Sequence, residues 1–288
     1  MNLLILGAGF TGLRVAHVAR TQGVPVAATT RAADKGVRLQ EMGLTAVVSE
    51  RLSPAVLEAH LQADTHVLVT FPPDGETDAA LASTVCARSA RVVYLSSTAV
   101  YAEGTTHIDA TTQALASNQR GQQRLLAEAP WQRAGATIVR APGIYGPGRG
   151  LHLRLVQDRL PATVTNRTVT SRVHVDDLAR ALWLTLIRPH RDRIYVIADD
   201  RPASHYEILC WLAERLKLPV PALNEADSQS TPDIGNERRV DGTQLRNELT
   251  MQLEYPTYRE GYAHCLAADH ETIAAALAAR AEARGART

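Results

Sequence analysis

The chain has 288 residues, 45% of them hydrophobic, and a net charge of +1, which suits one large α/β domain or one domain plus a smaller lobe. With 31 basic against 30 acidic residues, no electrostatic ground exists for a nucleic-acid or anionic-membrane partner. No run approaches the ~18 apolar residues of a membrane-spanning helix, and the first residues open a fold rather than a charged leader.

Residues 3–6 are four aliphatics that read as a short buried strand. Gly7, Gly9 and Gly12 follow as G-x-G-x-x-G, and an amphipathic helix is predicted over 12–22. In a dinucleotide site the first glycine permits the tight turn and the second lets backbone approach a pyrophosphate. The third packs helix on strand. The helix N-terminus then offers free N–H groups and a positive dipole end. A second strand at 24–29 supplies the confirming βαβ context.

Further strands are predicted at 45–48, 66–70, 91–95 and 136–140, and helices near 32–42 and at 54–62, 76–89 and 119–129. Aliphatic strands alternating with helices imply a parallel sheet covered on both faces. Beyond Pro142 the pattern loosens. Helices are expected at 151–159, 176–186 and 203–217, strands near 163–174 and at 193–197, an irregular stretch at 219–236 and a helical tail at 258–286. The fold class is therefore α/β: a Rossmann-type doubly wound parallel sheet with a small C-terminal α/β lobe. The expected division is 1–150 for the dinucleotide domain and 151–288 mainly for the lobe. Segments within about 164–200 return to the first domain, and the whole forms one compact unit.

The second strand ends Thr29-Thr30-Arg31, without the carboxylate that would bind a ribose 2′-hydroxyl. A guanidinium beside two hydroxyls suits a 2′-phosphate, so NADP is the preferred cofactor and NAD the second choice. Thr70, Phe71 and Pro72 leave the fourth strand at the carboxyl edge of the sheet, where open α/β sheets bind ligands, and are expected to line the cofactor. Cys86, Cys210 and Cys265 lack metal-ligand spacing and read as buried thiols in a reducing cytosol. His107, His152 and His205 have no ligand-spaced partners, so no metal site is expected.

Several segments together resemble the extended short-chain dehydrogenase/reductase superfamily, the group of nucleotide-sugar epimerases and dehydratases. They are Leu-Gly-Ala-Gly-Phe-Thr-Gly at 6–12, Tyr-Leu-Ser-Ser-Thr-Ala-Val-Tyr at 94–101 and Arg-Ala-Pro-Gly-Ile-Tyr-Gly-Pro-Gly-Arg at 140–149. Arg-Val-His-Val-Asp-Asp-Leu-Ala at 172–179 and Tyr-Pro-Thr-Tyr-Arg-Glu-Gly at 255–261 complete the set. The first turn and Thr-Phe-Pro-Pro at 70–73 resemble the group's atypical branch. The resemblance implies a cofactor set of Gly7, Gly9, Phe10, Thr11, Gly12, Thr30, Arg31, Thr70, Phe71, Pro72, Ser96, Arg124 and Pro142. Gly143, Tyr145 and Arg149 would face substrate. It also implies a homodimer, packed through the helices near 76–89 and 119–129.

The family's chemistry uses a Ser or Thr, a Tyr, and a Lys four residues after the Tyr. Ser97 matches the first. Arg120-Gly121-Gln122-Gln123-Arg124 stands where the Tyr-x-x-x-Lys helix is expected, with arginine at both catalytic positions. No shift restores the dyad, because Lys35 and Lys217 are the only lysines. Arginine cannot carry a proton near neutrality. The catalytic candidates are thus Ser97, Tyr101, Arg120 and Arg124, with Tyr145 a second phenol that could act as acid. Arg120 and Arg124 would lower the Tyr101 pKa, and His174 reads as a lobe-docking residue with Asp176 and Asp177 as helix caps. Two functions are expected: an NAD(P)-dependent oxidoreductase, epimerase or dehydratase acting on a small molecule in the cytoplasm, or an inactive NADP(H)-binding sensor.

Overall fold

A computed structural model describes residues 1–160, 163–164, 168–188, 194–223 and 237–285. The opening aliphatic run forms strand β1 (Asn2–Leu6), followed by α1 (Phe10–Thr21), β2 (Val26–Thr30), α2 (Ala33–Glu41) and β3 (Thr45–Val48). The chain then crosses through a short helix, α3 (Pro54–Leu57), to β4 (Thr65–Val69), α4 (Glu76–Arg88) and β5 (Arg91–Ser97). A two-residue strand, β6 (His107–Ile108), precedes α5 (Gln119–Arg133) and β7 (Thr137–Ala141).

The lobe-side elements are shorter. They are β8 (Gly143–Tyr145), α6 (Leu151–Val156), β9 (Thr163–Val164), β10 (Val169–Thr170) and β11 (Arg172–His174), then α7 (Val175–Ile187) and β12 (Ile194–Val196). After these come β13 (Ala203–Ser204), α8 (His205–Leu216), β14 (Ala222–Leu223) and β15 (Arg239–Val240). Helices Thr243–Glu248, Tyr258–Ala268 and His270–Gly285 close the chain.

Seven strands form one sheet in the order β12-β7-β5-β4-β1-β2-β3, and every pairing is parallel. The order reverses at β1, so the chain connections leaving the paired carboxyl ends of β1 and β4 run opposite ways, the switch point where open α/β sheets take ligands. Strands read as unbroken aliphatic runs because both faces are covered. One face packs under α1 and α7 around Leu3, Ile5, Val15, Leu178 and Leu182. The other packs under α4 and α5 around Leu4, Leu81, Val85 and Trp131, whose indole N–H donates to buried Asp78 at 2.7 Å. A further apolar cluster joins Tyr145, Leu151, Leu155, Leu209, Leu212, Tyr258 and Tyr262 on the lobe side.

The predicted strand near 163–174 is three short strands instead, with residues 165–167 outside the described set, as is most of the irregular stretch 219–236. The expected tail helix breaks at Asp269, whose carboxylate is turned onto the Gly148 backbone at 2.7 Å. Of the cysteines expected inside, Cys265 is buried but Cys86 and Cys210 are only half-buried. No described helix is long and apolar enough to cross a membrane.

Candidate functional site

The glycine-rich turn follows directly from β1. Gly7 has φ +105°, and a Cβ there would sit 2.6 Å from the Phe71 nitrogen. A Cβ on Gly12 would lie 2.6 Å from the Gly7 carbonyl oxygen, so this residue allows α1 to press onto the turn. A Cβ on Gly9 would meet nothing within 4 Å. The turn is held by its neighbours: Gly7 N–H donates to Thr29 Oγ1 at 2.9 Å, and Thr70 Oγ1 donates to Gly7 O at 2.7 Å. Helix α1 has no side-chain cap and no acid in its first turn, leaving orphan N–H groups aimed at the open side of Gly9. Open space at Gly9 and an uncapped helix start fit a pyrophosphate.

A cleft of about 900 Å³ continues from this turn, lined by Gly7, Gly9, Thr30, Arg31, Thr70, Phe71 and Pro72. Phe10 and Thr11 open α1 beside it, with Thr11 buried. Arg31 is exposed on its rim, and the Thr30 hydroxyl accepts weakly from Ala32 N–H at 3.4 Å. Two more cations line the cleft, Lys35 on α2 and Arg51 after β3, together with the acids Glu50, Asp74 and Glu76. Sequence reading singled out neither cation as a ligand. Lys35 lies four residues past Arg31, in the first turn of α2. Arg51 comes close only because β3 pairs beside β2. Its contact with Glu76, 3.9 Å between strongly exposed side chains, is worth little.

The Ser-Ser-Thr segment ends β5. Buried Ser96 donates to Glu128 Oε1, and Glu128 in turn pairs with Arg140 at 2.8 Å, both carboxylate and guanidinium being almost fully buried. Arg140 Nη1 donates to the Tyr101 hydroxyl at 3.1 Å, and its guanidinium lies 5.2 Å over the Tyr101 ring. Tyr101 is wholly buried; burial pushes its phenol pKa up, and Arg140 opposes this only in part. The expected lowering by Arg120 and Arg124 therefore does not occur, because the charge beside Tyr101 comes from β7. Arg120 is exposed and Arg124 half-buried. Arg124 acts on Tyr94, whose phenol is raised mainly by burial. Between the two arginines Gly121 is packed so tightly that a Cβ would lie 2.2 Å from the Ala99 carbonyl oxygen. This brings α5 against the segment after Ser97, whose Oγ accepts from Ala99 N–H at 3.2 Å.

Tyr145, the other phenol considered, stacks on Tyr262 at 4.5 Å inside the lobe-side core. Its pKa is raised by burial, and it faces neither pocket described here. The Gly146–Arg149 turn closes on itself through two 2.9 Å backbone hydrogen bonds. Asp269, paired with buried His152 at 2.7 Å, pins the turn through Gly148 N–H. The Arg149 guanidinium thereby sits 5.4 Å over the Phe10 ring, beside the glycine-rich turn.

Pro142 and Gly143 line a smaller pocket of about 210 Å³ with Thr98, Thr170, Ser171, Arg172, His205, Arg238 and Val240. Register places Arg172 opposite Gly143 in the β11–β8 pair. Arg172 Nη2 donates to the Ala203 carbonyl at 3.0 Å, while its buried Nη1 has no partner among the described residues. Arg238 is engaged by the carbonyls of Thr98, Tyr101 and Ala102. Buried Asp199 has no good hydrogen bond to either carboxylate oxygen. Burial pushes its pKa up to about 8, with the Arg172 guanidinium opposing.

His174 caps α7 by accepting from Asp176 N–H at 3.3 Å, so the cap is not an aspartate as expected. Burial pushes its imidazole down to about 3. Asp177 instead accepts from Glu254 and Tyr255 N–H at 2.8 and 2.9 Å, tying down the Tyr-Pro-Thr-Tyr segment. His174, Asp176 and His264 bring three donor atoms within 4.8 Å of one another. Capping occupies His174 Nδ1, and Arg14 pairs with Asp176 at 3.3 Å, so this cluster already serves the helix start.

No protein-family model matches the chain. Over 280 aligned residues it is 25% identical to protein YeeZ of Escherichia coli K12, covering 88% of this chain and 96% of YeeZ. A proposed NAD-dependent epimerase/dehydratase from Methylobacillus flagellatus is 27% identical with a TM-score of 0.73, over 93% of this chain and 98% of that one. A UDP-glucuronic acid 4-epimerase from Bacillus cereus, solved in complex with NAD, has a TM-score of 0.74 over 95% of this chain and 100% of its own, at 14% identity. The chain thus resembles the extended short-chain dehydrogenase/reductase superfamily, the NAD-dependent epimerase/dehydratase group, in its fold as well as in its motifs.

Proposed function

We propose that the protein binds a nicotinamide dinucleotide, NADP(H) in preference to NAD(H), and acts as an oxidoreductase, epimerase or dehydratase on a small molecule. The observation that carries this reading is the open space at Gly9 in front of an uncapped α1, continuous with the 900 Å³ cleft. Gly7, Gly9, Phe10, Thr11 and Gly12 would hold the pyrophosphate, and Thr70, Phe71 and Pro72 would wall the adenosine half. Thr30 and Arg31, with Lys35 and Arg51, would take the 2′-phosphate, in a cleft whose three cations are matched by Glu50, Asp74 and Glu76. The bound cofactor supplies hydride transfer. Ser96 and Glu128 fix the end of β5, Ser97 positions the substrate oxygen, and Arg124 and Pro142 border the nicotinamide ribose.

A second reading, a dinucleotide-binding sensor without turnover, is favoured by the burial of both candidate phenols, Tyr101 and Tyr145. The two are separated by titrating NADP(H) and NAD(H) calorimetrically and screening NADPH oxidation against sugar nucleotides, aldehydes and ketones. Absence of dinucleotide binding refutes both, and binding without turnover on any substrate class refutes the enzyme. Within the same reading, residues 1–150 with the returning strand β12 form the dinucleotide part and most of 151–288 the substrate lobe. The chain is cytoplasmic, and it dimerises through α4 and α5.

A further inference from the structure

The smaller pocket lies beside the candidate catalytic segment, because Thr98 directly follows Ser97, and Pro142 and Gly143 follow β7, which pairs with β5 through Ser97 and Ala141. Its wall carries Arg172, Arg238 and His205, and none of its lining residues is acidic. The two arginines are not equivalent. Arg238 is spent on three backbone carbonyls, which it clamps between 2.9 and 3.3 Å. Arg172 is 5% exposed and gives one nitrogen to the Ala203 carbonyl, while buried Nη1 has no partner among the described residues. A buried guanidinium nitrogen left unmatched is costly, and an acceptor seated in the adjoining pocket would match it. The geometry of a planar guanidinium suits a carboxylate or a phosphate.

Resting on the function proposed above, we infer that this pocket is a substrate subsite for an oxyanion, a carboxylate or phosphate group close to the reacting carbon, held by Arg172 Nη1. The Thr98 hydroxyl on the same wall adds a neutral donor, and Gly143 leaves the floor free of a side chain. Asp199 does not neutralise Arg172 in this role. Its carboxyl, raised by burial to about 8, stays protonated at neutral pH. The substrate is then a small oxo or hydroxy acid or a phosphorylated carbonyl compound, anionic beside its reacting carbon. A neutral sugar ring in that position would leave Arg172 unmatched.

The test is calorimetric titration of the full chain, with and without saturating NADPH, using inorganic phosphate, malonate and UDP-glucose as separate probes. Phosphate or malonate should bind saturably, and the tighter of the two identifies the oxyanion. Arg172→Met should weaken that probe at least tenfold, Arg172→Lys less, and Thr98→Val a few-fold, with circular dichroism unchanged. The inference is overturned if neither small anion binds, or if UDP-glucose alone does. It also fails if Arg172→Met binds as tightly as the wild type. Should Arg172→Met not fold, unchanged binding in both Arg172→Lys and Thr98→Val overturns it equally. NADPH titrated into the same samples reports separately on the cofactor reading, so the two can fail independently.

Discussion

Replacing Asp199 by Asn removes one ionisable group from a site that opposes ionisation. Asp199 is 3% exposed, and only the Arg172 guanidinium and weak backbone N–H contacts from Arg201 and Arg172 offset its burial, while Asp200 adds to it. Tyr145 and Tyr262, whose own pKa values feel Asp199, are neutral neighbours. The carboxyl titrates at about 8 in the folded chain against 3.8 when unperturbed. Between those values the folded state holds a proton that the unfolded state has released, so stability falls as pH rises and levels off above about 8. Each pH unit costs about 1.4 kcal/mol, or about 2.5 kcal/mol between pH 5 and pH 7. Asn keeps the shape without the proton. Urea unfolding at pH 5, 6 and 7, followed by far-ultraviolet circular dichroism, should show the difference between variant and wild type move in favour of the variant by about 2.5 kcal/mol across that range. Parallel profiles, or a difference moving the other way, would show that Asp199 is ionised in the folded protein and refute the reasoning.

Arg31→Asp should reverse the cofactor preference, since two or three charge-assisted contacts to the extra phosphate are worth about 1.5–3 kcal/mol; wild-type NAD(H) binding as tight as NADP(H) would remove Arg31 from that role. Gly9→Ala should leave the thermal midpoint unchanged, because its Cβ meets open space, yet weaken dinucleotide binding, whereas Gly7→Ala should destabilise the chain at its φ of +105°. Glu128→Gln strips the charge from a buried pair with Arg140 and should cost about 3 kcal/mol in urea unfolding; a loss below about 1 kcal/mol would show the pair to be dispensable. For the expected dimer, a light-scattering mass equal to that of one chain, 31.2 kDa, at micromolar concentration would exclude it.

Most of the sheet was legible in the chain because its determinants are local. A buried parallel strand is a continuous aliphatic run, as at residues 3–6, and these runs alternate with helices of period 3.6. The glycine-rich turn was legible for the same reason: the conformation of Gly7 and the close contact at Gly12 are demands on single residues. The partners of charged and aromatic side chains are not local, and there only tertiary structure decided. Tyr101 has the motif spacing of a site residue, but Arg140, 39 positions away, takes its hydroxyl, and Glu128 holds Arg140 in place. Arg149 stands in a motif expected to face substrate, but Asp269, 121 positions from Gly148, turns it toward Phe10. Arg51 reaches the large cleft through strand pairing, and Arg172 acquires its unmatched nitrogen through burial beside Ala203. Spacing along one helix or strand fixes which face a residue takes, but the charge it meets there depends on which distant segments fold against that face.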